Sequence, residues 1–426
     1  MNEESGVEPR VEPGDESAER RLSTQEAARL LGVKPATVYA YVSRGLLTSR
    51  RDPVGRGSSF DAREVEALAR RSRREAAVPA GSAGELSVRT SLTLIEPDRY
   101  YFRGVDAVEL ASRYRYEEVA EWLWTGTLVH GARFTAPPEA LAAARRAVAA
   151  LPEHSGPLDR LRVAVAAAAV ADPLRFDLSE AAVLGSARTL IPTLVGALPE
   201  VGPSQWPGDG RLARQLWPRL SPLDPDPDAL AVLDLALALL TDHDLAASTL
   251  AVRVAASARA HPYAAVSAGL GALEGPLHGA AGRLAHRMLV EVLERGGAAP
   301  VVAEYLRAGR RVPGLGHRLY RGEDPRATAL FARLEGLAQA GPALGAAREV
   351  AGVMARHGGG LYPNVDLALA VLTVSCAMAA EAGETVFAVA RTAGWIAHAL
   401  EEYQERPLRM RPSGQYQGPR PPRPMP

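Results

Sequence analysis

Apolar residues recur at helical spacing through most of this 426-residue chain, and this periodicity constrains its fold more than any other feature. The spacing is clearest in three segments, Glu117–Trp124, Leu161–Ala171 and Leu230–Leu240. Much of the hydrophobic content is alanine and aromatic residues are scarce. Because alanine is the best helix former and is depleted in strands, this composition favours closely packed helices over a β-sandwich. The sequence therefore predicts a mainly α fold.

A helix-turn-helix pattern precedes the main helical region. Ser23-Thr-Gln-Glu26 is a capping box, Gly32 stands where a left-handed helix cap is expected, and Pro35 opens a second helix. An arginine-containing, glycine-rich turn then leads to Phe60, as in a small wing. Residues 21–75 hold twelve Lys and Arg against six Asp and Glu, a local charge of +6 in a chain whose formal net charge is zero.

This segment resembles the MerR/excisionase type of winged helix-turn-helix domain over nearly its whole length. That family places its second helix in the major groove of DNA. The resemblance implies double-stranded DNA as a partner, with contacts from Thr37, Tyr41, Arg44, Arg50 and Arg51. A small helical domain that binds another protein is the alternative, because charged faces are usually only solvated.

Four segments of the helical region concentrate residues suited to an anionic carbonyl compound. They are Thr241–Thr249, Glu274–Gly279, Val312–Arg326 and Leu361–Asp366. The third combines a Pro-Gly-Leu-Gly turn with a histidine and an arginine. Glycines let the backbone approach a ligand, a histidine can polarise a carbonyl, and an arginine fork can hold a carboxylate. Taken alone, this stretch fits an ordinary loop before a helix equally well.

The order and spacing of these segments resemble the citrate synthase family, from about residue 88 to 418. The resemblance begins at Phe102-Arg-Gly-Val-Asp, is densest from Ala231 to Gly279, and continues through Ala390-Arg391-Thr-Ala-Gly-Trp to Arg411-Pro. It implies a two-domain helical fold behind the winged helix-turn-helix domain. The implied enzyme is an acyltransferase that condenses acetyl-CoA with oxaloacetate and water to citrate and CoA, or propionyl-CoA to 2-methylcitrate.

Carried over residue by residue, the resemblance implies three groups of site residues. Oxaloacetate would be bound by His243, His317, Arg326, Arg391 and, across a homodimer interface, Arg411. The catalytic residues would be His278, His317 and Asp366. Coenzyme A would be contacted by Pro313, Gly314, Leu315, Gly316 and Arg321. A buried structural ion pair is the alternative role for Arg391, and His398 is expected only to pack.

Two departures from the family affect the acyl side of the site. The family usually has glycine, alanine and an Asn-Glu pair after Gly279, where this chain has Ala280-Ala-Gly282-Arg283, which adds a positive charge. An aromatic residue is common after Asp366, and here it is Leu367. The choice between acetyl-CoA and propionyl-CoA is therefore open, since one methylene in a pocket is worth only about 1–3 kcal/mol.

The predicted organisation has a substrate cleft between two helical domains. Its parts are a disordered acidic tail (1–20), the helix-turn-helix domain (21–75), a linker (76–86), a large domain (87–280 and 378–412), a small domain (281–377) and a loose tail (413–426). With no signal core or membrane-spanning run and a single cysteine, the protein is expected to be cytoplasmic. No metal or cofactor is expected beyond coenzyme A as part of the substrate. A transcription regulator whose synthase-like domain senses a metabolite is the alternative function.

Overall fold

The structure, a computed structural model, describes residues 21–43, 47–51, 58–66, 68, 88–203, 210–275, 278–358, 361–412 and 417–419. The chain divides into two compact units, Met1–Arg89 and Thr90–Pro426. The predicted acidic tail and linker, and all but three residues beyond 412, lie outside the described residues. The division of the second unit into a large and a small domain stays a prediction.

The first unit is a helix-turn-helix with a small antiparallel sheet. Its elements are β1 (Arg21–Ser23), α1 (Thr24–Leu31), α2 (Pro35–Ser43), β2 (Ser49–Arg51) and β3 (Ser58–Asp61), with strand order β1-β3-β2. The predicted caps are confirmed: Ser23 and Glu26 form the capping box, and Gly32 has a φ of 68°. Val38, Phe60 and Val65 are fully buried in the core of this unit.

A short antiparallel sheet opens the second unit, in a region that the sequence predicts to be helical. Its strands are β4 (Thr93–Ile95), β5 (Tyr100–Phe102) and β6 (Val105–Asp106). Arg103 and Gly104 have φ angles of 49° and 80°, and they form the two-residue turn between β5 and β6. The prediction is wrong for these residues because strands of two or three residues are too short to show alternation.

Helices form the rest of the second unit in the part of the chain that the structure describes. They are α3 (Ala107–Arg113), α4 (Tyr116–Thr125), α5 (Pro138–Ala149), α6 (Pro157–Ala171), α7 (Glu180–Ala197), α8 (Leu212–Leu220), α9 (Pro227–Leu239), α10 (Ala247–Ser257), α11 (Pro262–Leu273), α12 (Ala281–Arg295), α13 (Ala298–Arg307), α14 (Pro325–Leu334), α15 (Gly341–Arg356), α16 (Val365–Ser375) and α17 (Ala382–Gln404), with a 3₁₀ turn at Ala338–Ala340. The three segments with clear helical spacing lie in α4, α6 and α9, so the mainly α prediction is confirmed.

Helix α17 runs through the core of the second unit. It contacts α4, α7, α9, α10, α11 and α12, among others, and nearly all its side chains are buried. At Gly394 a Cβ would lie 2.3 Å from the carbonyl oxygen of Thr241, so α17 passes directly against the turn that precedes α10. None of the helices that the structure describes combines the length and apolarity needed to span a bilayer.

Candidate active site

A cavity of about 580 Å³ lies where loops and helix ends of the second unit meet. Six of the residues expected to bind or transform substrate line it together: His243, His278, His317, Arg326, Asp366 and Arg391. Other parts of its wall are Asp244, Gly282, Gly316, Gly383, Glu384 and Phe387. Four separate sequence segments and α17 therefore bring the three imidazoles, two guanidinium groups and one carboxyl group of these six residues into one pocket.

A glycine loop holds the helix that carries Asp366. The N–H of Asn364 donates to the carbonyl oxygen of Gly314 at 3.0 Å, and the Asn364 side chain caps α16 by accepting from the N–H of Asp366 at 3.0 Å. Gly314 has a φ of 75°, and a Cβ there would lie 2.7 Å from the Cβ of Leu367. Glycine is required for this approach, which fixes the first turn of α16 against the loop.

Asp366 presents its carboxyl group to the cavity. Among the described residues, no group donates a hydrogen bond to this side chain. Burial raises the pKa of Asp366 to about 6, and the Arg326 guanidinium opposes this only in part. Such a carboxylate is ionised at pH 7 but poorly solvated, which suits a base that takes a proton from a weak carbon acid.

His278 faces the same cavity as a neutral ring. Its Nε2 lies 2.8 Å from the Oγ of Ser248. Burial, followed by the charge of Arg391, lowers the pKa of His278 below its ordinary value. A neutral imidazole has one N–H group, which can stabilise an oxygen that becomes negative during a reaction.

His317 lies between the backbone of its own loop and Arg326. Its Nδ1 is 3.1 Å from the amide nitrogen of Leu319, and its Nε2 is 3.2 Å from Nη2 of Arg326. Burial, and then Arg326, lowers the pKa of His317 to about 4, so the ring is neutral at pH 7. A neutral ring has only one acceptor nitrogen, whereas both nitrogens here face donors. An acceptor oxygen beside Nε2 would resolve this conflict, since it could accept from both Nε2–H and Arg326.

One edge of the Arg326 fork is already occupied. Its Nε and Nη2 hold the carboxylate of Asp324 at 2.9 and 2.7 Å, and both side chains are buried. Although burial works in the opposite direction, Asp324 raises the pKa of Arg326. The sequence predicts that Arg326 binds a substrate carboxylate, and only the second edge of its guanidinium group is available for this.

His243 is a hydrogen-bonding group rather than a cation. Its Nε2 lies 2.8 Å from the phenolic oxygen of Tyr320, and the side chain is almost fully buried. Burial, followed by the charges of Arg326 and Arg391, lowers the pKa of His243 well below its ordinary value. At pH 7 this ring can orient a substrate oxygen but cannot neutralise a substrate charge.

Arg391 is a buried cation of the cavity with two groups left for a ligand. Its Nε donates to the carbonyl oxygen of Leu240 at 2.9 Å, and its guanidinium carbon lies 4.5 Å from the centroid of the Phe387 ring. No carboxylate among the described residues forms an ion pair with it, so the structural ion-pair alternative finds no support there. Burial lowers the pKa of Arg391 to about 10, which leaves it protonated at pH 7. Its two Nη groups remain for a ligand.

A buried polar chain supports the turn that carries His243. Arg253 donates from Nη1 to Nδ1 of His398 at 2.9 Å, which places the ring proton on Nε2, 3.3 Å from the carboxylate of Asp242. Asp242 precedes His243 in the chain and also accepts from Oγ1 of Thr93 at 2.5 Å. His398, which the sequence predicts only to pack, is thus hydrogen-bonded on both sides and holds Asp242 in place.

The predicted contacts to coenzyme A and the partner subunit do not line this cavity, apart from Gly316. Pro313, Gly314 and Leu315 lie in the supporting loop, while Arg321 and Arg411 are exposed. The roles predicted for these residues therefore stay predictions. In the described part of the chain, no group of three or more His, Cys, Asp or Glu side chains is placed to hold a metal ion.

Sequence reasoning missed several residues of the site. They are Ser248, Tyr320, Glu384 and Phe387. The last two precede Arg391 on α17 by seven and four positions, and the helical repeat places all three on one face. Counting back four and seven positions from Arg391 in the sequence would have identified Phe387 and Glu384 as residues of the site. For Ser248 and Tyr320 we find no comparable signal.

The residues predicted to contact DNA differ in exposure within the first unit. Thr37 is partly exposed on α2, and Arg50 is exposed on β2, whereas Tyr41 packs against the hydrophobic core. Tyr39, which was not predicted, is 49% exposed and its hydroxyl lies 3.3 Å from that of Thr24. The predictions for Arg44 and for the side chain of Arg51 lie outside what is described.

Comparison with known families also divides the chain into an N-terminal and a larger C-terminal part. A family profile described as citrate synthase, C-terminal domain, matches residues 81–413, and one described as a helix-turn-helix domain matches residues 21–73. Similar proteins include a citrate synthase of Haloferax volcanii, 32% identical over 79% of this chain and 95% of its own. Citrate synthase 2 of Bacillus subtilis is 28% identical over 80% of this chain and 95% of its own.

Solved structures of citrate synthases share the fold of the second unit. That from Pyrobaculum aerophilum is 25% identical with a TM-score of 0.66, covering 89% of this chain and 97% of its own. That from Thermoplasma acidophilum, a ternary complex with carboxymethyl coenzyme A and oxaloacetate, is 23% identical with a TM-score of 0.64, covering 81% of this chain and 97% of its own. On these matches the chain belongs to the citrate synthase family of transferases and carries a helix-turn-helix domain ahead of its synthase region.

Proposed function

We propose that this protein condenses a short acyl-CoA with oxaloacetate and water, giving citrate and free coenzyme A when the acyl group is acetyl. The observation that carries the proposal is a single cavity in which a carboxylate with a raised pKa, Asp366, faces neutral imidazoles and two guanidinium groups. The bound oxaloacetate and coenzyme A analogue of the Thermoplasma acidophilum enzyme support this substrate pair.

The first step would make a nucleophile from the thioester. Asp366 takes a proton from the α-carbon, and the electron pair moves onto the thioester oxygen to give an enolate or enol. The N–H of neutral His278 donates to that oxygen as its charge develops. The contact between His278 and Ser248 orients the ring for this role.

The second step would join the two substrates. The α-carbon attacks the ketone carbon of oxaloacetate, and the ketone oxygen takes a proton from Nε2 of His317. Nε2 of His317 and Nη2 of Arg326 are both donors and lie 3.2 Å apart, and the ketone oxygen would supply the acceptor that they need. Water then adds to the thioester carbonyl, the carbon–sulfur bond breaks, and coenzyme A leaves as its thiol while a third carboxylate forms. Of the two protons of this water, one goes to the thiol and the other returns to Nε2 of His317, and Asp366 releases its proton to solvent.

The two carboxylates of oxaloacetate need cations. Arg391 would bind one through its two Nη groups, and the open edge of Arg326 would bind the other, while His243 donates a neutral hydrogen bond. Arg411 is exposed on its own chain, and we propose that it completes the site of a second subunit in a homodimer. Arg321 and the backbone of Pro313–Gly316 would contact coenzyme A at the cavity mouth.

The test is release of coenzyme A by the purified protein. With oxaloacetate, turnover of acetyl-CoA is expected, and propionyl-CoA measured in parallel decides between citrate and 2-methylcitrate as the main product. Release that depends on both substrates would support the proposal. No release with either thioester would sink it and leave the synthase region as a metabolite sensor.

The pH dependence provides a separate prediction. Because protonated Asp366 cannot accept a proton and its pKa is about 6, kcat/KM for the acyl-CoA should fall tenfold per pH unit below that value and level off above it. Initial rates at low acyl-CoA and saturating oxaloacetate measure this. A rate that stays flat down to pH 5 would exclude a base with this pKa.

A second candidate function is DNA binding by the first unit, as in a regulator that senses a metabolite. It is favoured by the exposed residues of α2 and by exposed Arg50 on β2, both in the first unit. Asp366 weighs against a sensor without catalysis, because ligand binding alone does not need a base.

DNA binding should appear as a salt-sensitive complex with duplex DNA in a gel-retardation assay. Substituting alanine for Arg50 and Arg51 together is expected to weaken the complex. It should also reduce the slope of log affinity against log salt by about one for each phosphate that these side chains neutralise. Arg113→Ala removes a charge from an exposed ion pair with Glu109 in the second unit and is the matched control. Unchanged affinity in the double variant, or no complex at low salt, would count against direct contact.

A further inference from the structure

Two adjacent positions beside Asp366 carry no side chain. A Cβ added to Gly282 at the start of α12 would lie 3.7 Å from Oδ1 of Asp366, and one added to Gly383 on α17 would lie 4.0 Å from the Cα of Gly282. Both glycines line the cavity and neither has a positive φ, so the backbone does not require glycine there. A methyl group on either glycine would make only ordinary van der Waals contacts, so the two glycines leave space beside the base that a side chain could otherwise fill.

A carboxyl group without a hydrogen bond borders this space. Glu384 lines the cavity, its side chain is only 7% exposed, and its Oε1 is buried without a hydrogen-bond partner among the described residues. Its nearest cation is Arg283, whose Nε lies 3.5 Å away without forming a hydrogen bond. Burial raises the pKa of Glu384. The positive charge of Arg283 thus lies beside the carboxylates of Glu381 and Glu384. Arg283 itself does not line the cavity.

Among the described residues, Glu117 and Asp242 also have one buried oxygen without a hydrogen bond, but neither lines the cavity. Glu402 is fully buried and accepts hydrogen bonds from Arg253 and Arg409, at distances of 2.6 to 3.2 Å. Glu384 has no such partners, and a buried polar group without a hydrogen bond costs free energy. A ligand group that donates a hydrogen bond to Glu384 would remove this unfavourable free energy on binding. Ligands that carry such a donor would therefore bind more tightly than ligands without one.

We propose that Glu384 is a substrate-binding residue that hydrogen-bonds to a polar group of the acyl thioester, whose acyl chain extends beyond a methyl group into the space left by Gly282 and Gly383. This inference rests on the proposed function, because it assigns the thioester to this cavity. The polar group has two possible sources, a hydroxyl on the acyl chain or an amide of the pantetheine arm. In either case the bonds made and broken in the reaction are unchanged.

The experiment compares three thioesters with the full-length protein and two variants. Acetyl-CoA tests size, while butyryl-CoA and 3-hydroxypropionyl-CoA have the same length and differ in a methyl against a hydroxyl group. Glu384→Leu removes the hydrogen bond and is expected to raise KM about tenfold or more, whereas Glu384→Gln keeps it and should retain most of the affinity. A rise only for the hydroxylated thioester identifies the acyl chain as the source, and an equal rise for all three identifies pantetheine.

The neighbouring carboxylate Glu381 is the matched control. It lies 3.9 Å from Arg283 and 3.5 Å from Arg287 and does not line the cavity, so Glu381→Gln tests whether the effect acts through the arginines. KM values unchanged in Glu384→Leu, or equally changed in Glu381→Gln, would overturn the inference. The thermal midpoint of Glu384→Leu should not fall, since an unsatisfied carboxyl group is lost, and a fall would indicate a structural role.

The proposed function and this inference fail in distinguishable ways. If the unmodified protein turns over none of the thioesters, the proposed reaction is wrong, and calorimetric affinities for the same thioesters then decide the inference. If it turns them over but Glu384→Leu has the KM values of the unmodified protein, only the inference is wrong.

Discussion

Asp366→Ala is expected to lower kcat by about 10²- to 10⁴-fold, the range that a positioned general base contributes. The thioester α-carbon is a weak acid, and the other carboxyl groups lining the cavity, Asp244 and Glu384, would have to replace the base. Oxaloacetate binding should change little, because the described contacts of its expected ligands His317, Arg326 and Arg391 do not include Asp366. Steady-state rates and calorimetric titration with oxaloacetate measure the two quantities separately.

Asp366→Asn is the control for shape. It keeps the size of the side chain and removes its basicity, so its kcat should match that of Asp366→Ala. Neither variant should lose thermal stability, because the Asp366 side chain accepts no hydrogen bond from the described residues and its burial opposes ionisation. If substantial turnover survives in both variants while oxaloacetate still binds, the base must be another residue, and Glu384 becomes the first candidate.

Local rules predicted the first unit well. The capping box at Ser23, the left-handed cap at Gly32 and the helix start at Pro35 each depend on neighbours within a few positions, and each is present in the structure. Tyr41 is the exception, since helix periodicity alone does not tell which of Tyr39 and Tyr41 meets the core. That depends on how α2 packs against the other elements of the unit, where Tyr41 lies against the core, and the sequence of the helix does not contain this.

The residues of the site could be predicted only where the family resemblance aligned the four segments with known site positions. His278, Asp366 and Arg391 come from distant segments, and no spacing rule places them in one cavity. The occupied edge of Arg326 could have been anticipated from Asp324-Pro-Arg326, because an aspartate before proline at a helix start is an expected cap. The place of Glu384 on the same face of α17 as Arg391 was predictable, but its lack of hydrogen-bond partners was not, because this becomes visible only when α12 and α17 are packed together.

Arg391→Met is expected to raise KM for oxaloacetate by about 10²- to 10³-fold, within the 2–5 kcal/mol typical of truncating one partner of a buried charge pair. Methionine is similar in length and apolar, so it removes the charge and the two free Nη groups while filling the space beside Phe387. The KM for acyl-CoA should change much less. Kinetics with each substrate varied in turn separate the two values.

Arg391→Lys tests whether charge alone is enough. The guanidinium group is held in place by its Nε bond to Leu240 and by the Phe387 ring 4.5 Å away, and this leaves a planar fork facing the cavity. Lysine keeps the charge but carries its donors on one nitrogen and cannot form the planar two-nitrogen fork, so most of the loss in affinity should persist. Full recovery by lysine would indicate a purely electrostatic role. An unchanged KM in Arg391→Met, in a protein with an unaltered thermal midpoint, would return Arg391 to a structural role and leave the carboxylates of oxaloacetate to Arg326 and Arg411.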